Sequence, residues 1–186
     1  MDGVGAARDL ARFLLADLPE RWRHTVGVAR RAESLIGTLP AGDGAVLVAA
    51  AWLHDVGYAA PLRDTGFHPL DGARHVRAAG WSYRITGLVA HHSGAMCVAR
   101  CRGLADQLAE FPQESSPTAD ALVYADQTVG PDGVVMTFED RLADMLHRHG
   151  TGSPHAAAHH ERAPLLRAAV LRVEDRLALA RLVPAA

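Results

Sequence analysis

The stretch AAWLHDVGY, residues 50–58, sets two potential metal ligands, His54 and Asp55, at the end of an apolar run. Ala49 to Leu53 read as the buried side of a helix, where an unpaired carboxylate costs several kcal/mol. A positive partner must therefore answer Asp55. The chain has no lysine, and all 19 of its basic residues are arginine. An arginine can serve, and so can a cation held jointly with other side chains. Taken alone, the dipeptide reads more readily as a His-Asp hydrogen bond or a helix cap than as a metal site.

Partners for a cation lie on both sides of this stretch. His24 follows Pro19 and shares a stripe with Val28, Ala32 and Leu35, a spacing that turns its imidazole inward. Ser82 can cap a helix whose inward face carries Ile85, Leu88 and Val89. His91 and His92 extend that face before Gly94 ends it, so at least one of them points inward. Ser116-Pro117 starts a further helix, and Asp126 sits in its apolar run ALVYADQTVG, residues 121–130. His68 precedes Pro69, and a proline in the first turn makes His68 the residue at the helix start. A lone inward histidine is more often a satisfied core residue than a ligand. Together, five histidines and two aspartates fall on five helical segments.

The order His24, His54-Asp55, His68, His91-His92, Asp126 resembles the HD superfamily of metal-dependent phosphohydrolases, named for its adjacent His-Asp pair. His24, His54, Asp55 and Asp126 match the minimal pattern. His68-Pro69 and His91-His92 match the branch that binds two metals. The resemblance implies an all-α HD-type domain with one ion on His24, His54 and Asp126 and a second on His68, His91 and His92. Asp55 would be the catalytic residue, bridging the ions or holding the nucleophilic water. Mixed imidazole and carboxylate ligands suit one or two divalent transition-metal ions, iron or manganese first, with zinc, cobalt, nickel and magnesium also open. Two departures narrow the substrate. Tyr58 stands where cyclic-dinucleotide hydrolases carry a lysine, and SGAMCVARCRG, residues 93–103, replaces their Gly-Tyr-Pro signature. The Glu-Asp motif of alarmone pyrophosphohydrolases is not evident either. The expected activity is hydrolysis of a small phosphate ester, plausibly a nucleotide. A di-iron oxygenase of the same fold and a catalytically idle metal-binding or ligand-sensing module are the alternatives.

Composition bounds the rest. With 186 residues and 49% hydrophobic content, the chain suits one domain over 1–186. Its metal-site core would occupy 20–130, with C-terminal helices over 131–186 and a flexible connection at 151–160. A formal charge of −2 and no basic tract disfavour polymeric nucleic acid, leaving a small phosphorylated molecule as partner. Without lysine, neither a Walker A loop nor a Schiff base can be built in the usual way. Arg100 and Arg102 are candidates to clamp phosphate, against the plainer reading as solvated charge. Cys97 and Cys101 read as small packing residues. No signal-like segment opens the chain, and Ala45 to Leu53 is too short to span a bilayer, so a cytoplasmic protein without membrane contact is expected. Leu10, Phe13, Leu14 and Leu18 predict a first amphipathic helix, and Leu166, Val170, Val173, Leu177 and Ala180 a last one. The last helix either closes the core or packs against a second copy of the chain. The scattered histidines His147, His149, His155, His159 and His160 read as surface residues.

Overall fold

A computed structural model describes residues 3–150 and 152–182. Its centre is the helix that ends on the His-Asp pair. From Leu47 to Leu53 every residue of that helix is buried, as a segment apolar on all sides must be. In chain order the helices are α1 (Val4–Leu14), α2 (Pro19–Glu33), this central α3 (Asp43–Leu53), α4 (His68–Ala78), α5 (Tyr83–His91) and α6 (Ala95–Cys101). There follow α7 (Ala105–Leu108), α8 (Pro117–Gln127), α9 (Phe138–His149), α10 (Pro154–Ala157) and α11 (His159–Leu182). Helices α1, α2, α5 and α8 surround α3, and α11 lies along α8. The architecture is all-α. The one strand-like feature among the described residues is an isolated antiparallel bridge between Val129 and Val135.

Local chemistry sets the helix starts. Ser82, Ser116, Thr137 and Ser153 each accept a backbone N–H from the residue three positions on, and proline opens α2, α8 and α10. The side of α1 that meets α3 is the expected one only in part, since Leu10 and Leu14 pack against the core but Phe13 does not. Ala7, Ala11 and Leu15 are buried, whereas Phe13 is 79% exposed. Small residues let the two helices approach closely, and that contact outweighs the larger side chains one step around the helix.

The stretch expected as a flexible connection, 151–160, is largely helical. Ser153 caps α10, and α11 begins at His159; Thr151 lies outside the described residues. Leu166, Val170 and Val173 then bury one side of α11, while Arg172 and Arg176 reach Asp120 on α8 at 2.6–3.3 Å. This last helix thus closes the core of its own chain. No helix among the described residues is long and apolar enough to cross a membrane.

Candidate metal centre

Where α3 ends, the chain leaves the helix and turns through a tight 3-10 turn at Val56–Tyr58. The change of direction points His54 and Asp55 into the space enclosed by α2, α4, α5 and α8. His24 comes from the middle of α2, His68 from the first residue of α4, His92 from the break after α5, and Asp126 from the last turn of α8. Ligand atoms of His24, His54 and Asp126 lie within 4.8 Å of one another, and so do those of Asp55, His68 and His92. Asp55 spans the two groups. Its Oδ2 is 3.8 Å from His24 Nε2 and 3.5 Å from His54 Nε2, and its Oδ1 is 3.3 Å from His68 Nε2 and 4.0 Å from His92 Nε2.

The hydrogen bonds behind the histidines decide which nitrogen faces inward. Nδ1 of His24 lies 3.0 Å from the Gly130 carbonyl, that of His54 2.7 Å from Ala51, and that of His92 2.7 Å from Val89. A carbonyl only accepts, so each Nδ1 carries the proton, and in the neutral ring Nε2 presents a lone pair to the centre. These lone pairs lack donors. Nε2 of His54 is buried with no hydrogen-bond partner, that of His24 faces the Asp126 carboxylate at 3.0 Å, and that of His92 faces His68 Nε2 at 3.2 Å. Lone pairs aimed at carboxylates and at one another repel unless a proton or a cation lies between them. The donor set, its oriented tautomers and the orphaned His54 nitrogen fit divalent transition-metal ions.

Electrostatics favour the ligating forms. Burial opposes charge on Asp55 and Asp126, yet both carboxyls lie well below the usual range, with the Arg21 guanidinium beside the first and that of Arg141 near the second favouring the ionised forms. Burial lowers the pKa of His68 and His92, which keeps both imidazoles neutral. Tyr58 stacks on His68 with ring centroids 4.0 Å apart, and burial and Asp55 push its phenol up to about 12, so it stays protonated.

His91 is a correction to the expected ligand set. Helix α5 ends at His91, and the chain leaves the helical path at His92 and Ser93, the latter with a left-handed φ of 53°. His92 turns inward, and His91 Nε2 instead meets the Phe111 carbonyl at 3.0 Å. The arginine candidates also change. Arg100 pairs with Glu161, and Arg102 bonds the Thr65 carbonyl and covers Phe67, so neither reaches the centre. Arg21 is instead the arginine that answers Asp55, at 2.9 Å, while lying over the Tyr58 ring. It stands one turn before His24, a position from which its role was readable once His24 was placed on the inward face. Ser93 and Gln127 were missed. The Ser93 hydroxyl donates to Asp126 Oδ2 and accepts from Gln127 Nε2 at 3.0 Å, and Gln127 Nε2 also donates to Asp126 Oδ2 at 2.9 Å. His155 lines the cavity beside the centre, unlike the surface residue it was taken for. Both thiols are free, Cys97 buried and Cys101 exposed, so only the first serves packing.

Among known proteins, a family model described as HD domain matches residues 21–180. Neither a curated protein nor a solved structure matches the chain.

Proposed function

The chain belongs to the HD domain family, and on that premise we propose that it is a metal-dependent hydrolase of a small phosphate ester, plausibly a nucleotide. The observation that carries this reading is the pair of adjoining His/Asp groups sharing Asp55, with the buried His54 Nε2 left without a partner. His24, His54 and Asp126 would hold one ion, and His68 and His92 the other, with Asp55 between them. Two such ions, when bound, lower the pKa of a water and stabilise charge developing at phosphorus.

The side chains do the remaining work. Asp55 presents one oxygen to each group and so sets the spacing of the two halves of the site. The carbonyls of Gly130, Ala51 and Val89 lock three imidazoles in the ligating tautomer. Arg21 accompanies the Asp55 carboxylate and supplies positive charge at the cavity wall. In the reaction an O–P bond forms from water while the P–O bond to the leaving group breaks. One proton of the water ends on the released alcohol and the other on phosphate.

The test is metal analysis of anaerobically purified protein, followed by a panel of small phosphate esters with Mn²⁺ while O₂ is monitored. Phosphate release without O₂ consumption, lost on joint substitution of His54 and Asp55, is the expected result. Iron-dependent O₂ uptake with no phosphate release would select the oxygenase. Neither activity in metal-loaded protein would select the idle binding module.

A further inference from the structure

The cavity above the His/Asp groups has a second wall that metal binding does not use. It comes from the C-terminal helices: Arg141 and Arg148 from α9 and Arg162 from α11 face the same space as Asp55, His68, His92 and Asp126. Arg148 is satisfied, because its Nε donates to Asp144 at 2.9 Å. Arg141 is satisfied only in part, and Arg162 has no carboxylate partner among the described residues. Arg141 is 7% exposed, its Nε is buried without a partner, and its terminal nitrogens reach no nearer than 3.4 Å to Asp144 and 3.8 Å to Asp126. Arg162 is 6% exposed and forms no ion pair among the described residues. Its Nε donates to the Ser93 carbonyl at 2.6 Å, and one terminal nitrogen lies 3.7 Å from the Met145 sulfur.

A buried guanidinium with no carboxylate, as at Arg162, or with only long pairings to carboxylates, as at Arg141, is costly, and two such groups on one cavity favour an anion there. Asp126 cannot fill that role once it holds a cation, and its second oxygen is already taken by Ser93 and Gln127. Even with Asp144 counted, the arginines facing the cavity outnumber the carboxylates, before any divalent ion adds to the excess. Burial lowers the Arg162 pKa, the direction expected of a cation whose partner is missing.

We propose that Arg141 and Arg162 form an anion-binding wall for the terminal, dianionic phosphate of a phosphate monoester, so that the site selects monoesters over diesters. The inference rests on the hydrolase reading for its substrate class, whereas the wall itself rests on the two arginines. Arginine presents paired N–H donors in the geometry that phosphate oxygens accept, and a dianion answers two cations where a diester monoanion answers one.

Calorimetric titration of the Mn²⁺-loaded protein with methyl phosphate and dimethyl phosphate at pH 8 tests it without requiring turnover. Methyl phosphate should bind at least tenfold tighter than dimethyl phosphate. Arg141→Gln and Arg162→Gln should each weaken methyl phosphate at least tenfold, leave dimethyl phosphate within twofold, and leave Mn²⁺ stoichiometry unchanged. If Arg162→Gln does not fold, Arg141→Gln, on a different helix, carries the same expectation. Variants with wild-type affinity for methyl phosphate, or a wild type that binds both esters equally, would overturn the wall. Arginine-dependent binding of methyl phosphate with no ester hydrolysed would remove the hydrolase reading and leave the wall standing. Hydrolysis of diesters together with unaltered methyl phosphate affinity in the variants would do the reverse.

Discussion

Ser93 shows at the scale of one residue how the centre is held. A non-glycine residue at a φ of 53° carries a cost of about 1–2 kcal/mol. The strained turn ends the inward face of α5 and swings the Ser93 hydroxyl onto Asp126, while the Ser93 carbonyl takes the Arg162 Nε. Removing the hydroxyl takes away one of the two hydrogen bonds, from Ser93 and Gln127, that hold Oδ2 of a carboxylate whose other oxygen faces His24. Ser93→Ala should therefore weaken Mn²⁺ binding about 10- to 100-fold, the usual effect of losing a hydrogen bond behind a ligand. Ser93→Gly should weaken it equally yet melt higher than Ser93→Ala, since glycine adopts the left-handed turn without strain. Metal titrations and melting curves on the two variants check this. Equal melting temperatures would show that the turn stores no strain. His91 and His92 have different fates because consecutive side chains at a helix end point about 100° apart, and His92 falls on the stripe of Ile85, Leu88 and Val89.

Among the elements, the contact between the 3-10 turn after Asp55 and the start of α4 joins the two halves of the site. Gly57 makes it possible. A Cβ at that position would lie 2.1 Å from the His68 carbonyl oxygen and 2.6 Å from the Gly72 nitrogen, both backbone atoms that cannot swing away. Gly57→Ala must push α4 off the turn and carry His68 with it. The expected cost is about 3 kcal/mol, equivalent to a fall in melting temperature of about 6–12 °C for a domain of this length. The variant should also retain one Mn²⁺ on His24, His54 and Asp126 while losing the ion that needs His68. Loss of both ions together, measured by metal content after dialysis, would show that the two groups do not form separately. A glycine after the His-Asp pair was visible in the sequence, but nothing there revealed that backbone from eleven residues later rests against it.

For the molecule as a whole, the ligands come from α2, the end of α3, α4, the break after α5 and α8, so cations bound at the centre hold native elements together. A ligand that binds only the folded chain stabilises it by about 2.7 kcal/mol at a concentration 100 times its dissociation constant. Chelation should accordingly lower the melting temperature by about 5–10 °C, and joint substitution of Asp55 and Asp126 by asparagine, which removes a carboxylate from each group, should abolish the difference. A chelator effect of the same size in that double variant would place the stabilising ion elsewhere, for example on the histidines near the C-terminal helices.

The sequence alone determined the all-α class, the inward stripe of His24 and the helix starts at Ser82, Ser116 and Thr137. It also placed the His-Asp pair at the end of a buried helix and carried the spacing that matches the HD pattern. Those features follow from local rules, because helical periodicity and capping act within a few residues. The tertiary structure decided what His91 does instead, since its Nε2 meets the Phe111 carbonyl of a distant segment, whereas His92 continues the inward stripe of Ile85, Leu88 and Val89. It decided that Arg21 answers Asp55. It also turned Arg141 and Arg162, two ordinary charges in the sequence, into buried cations on the same cavity as the His-Asp pair. An arginine's burial and partner are set by helices packed across the core, and no local pattern records where those helices meet.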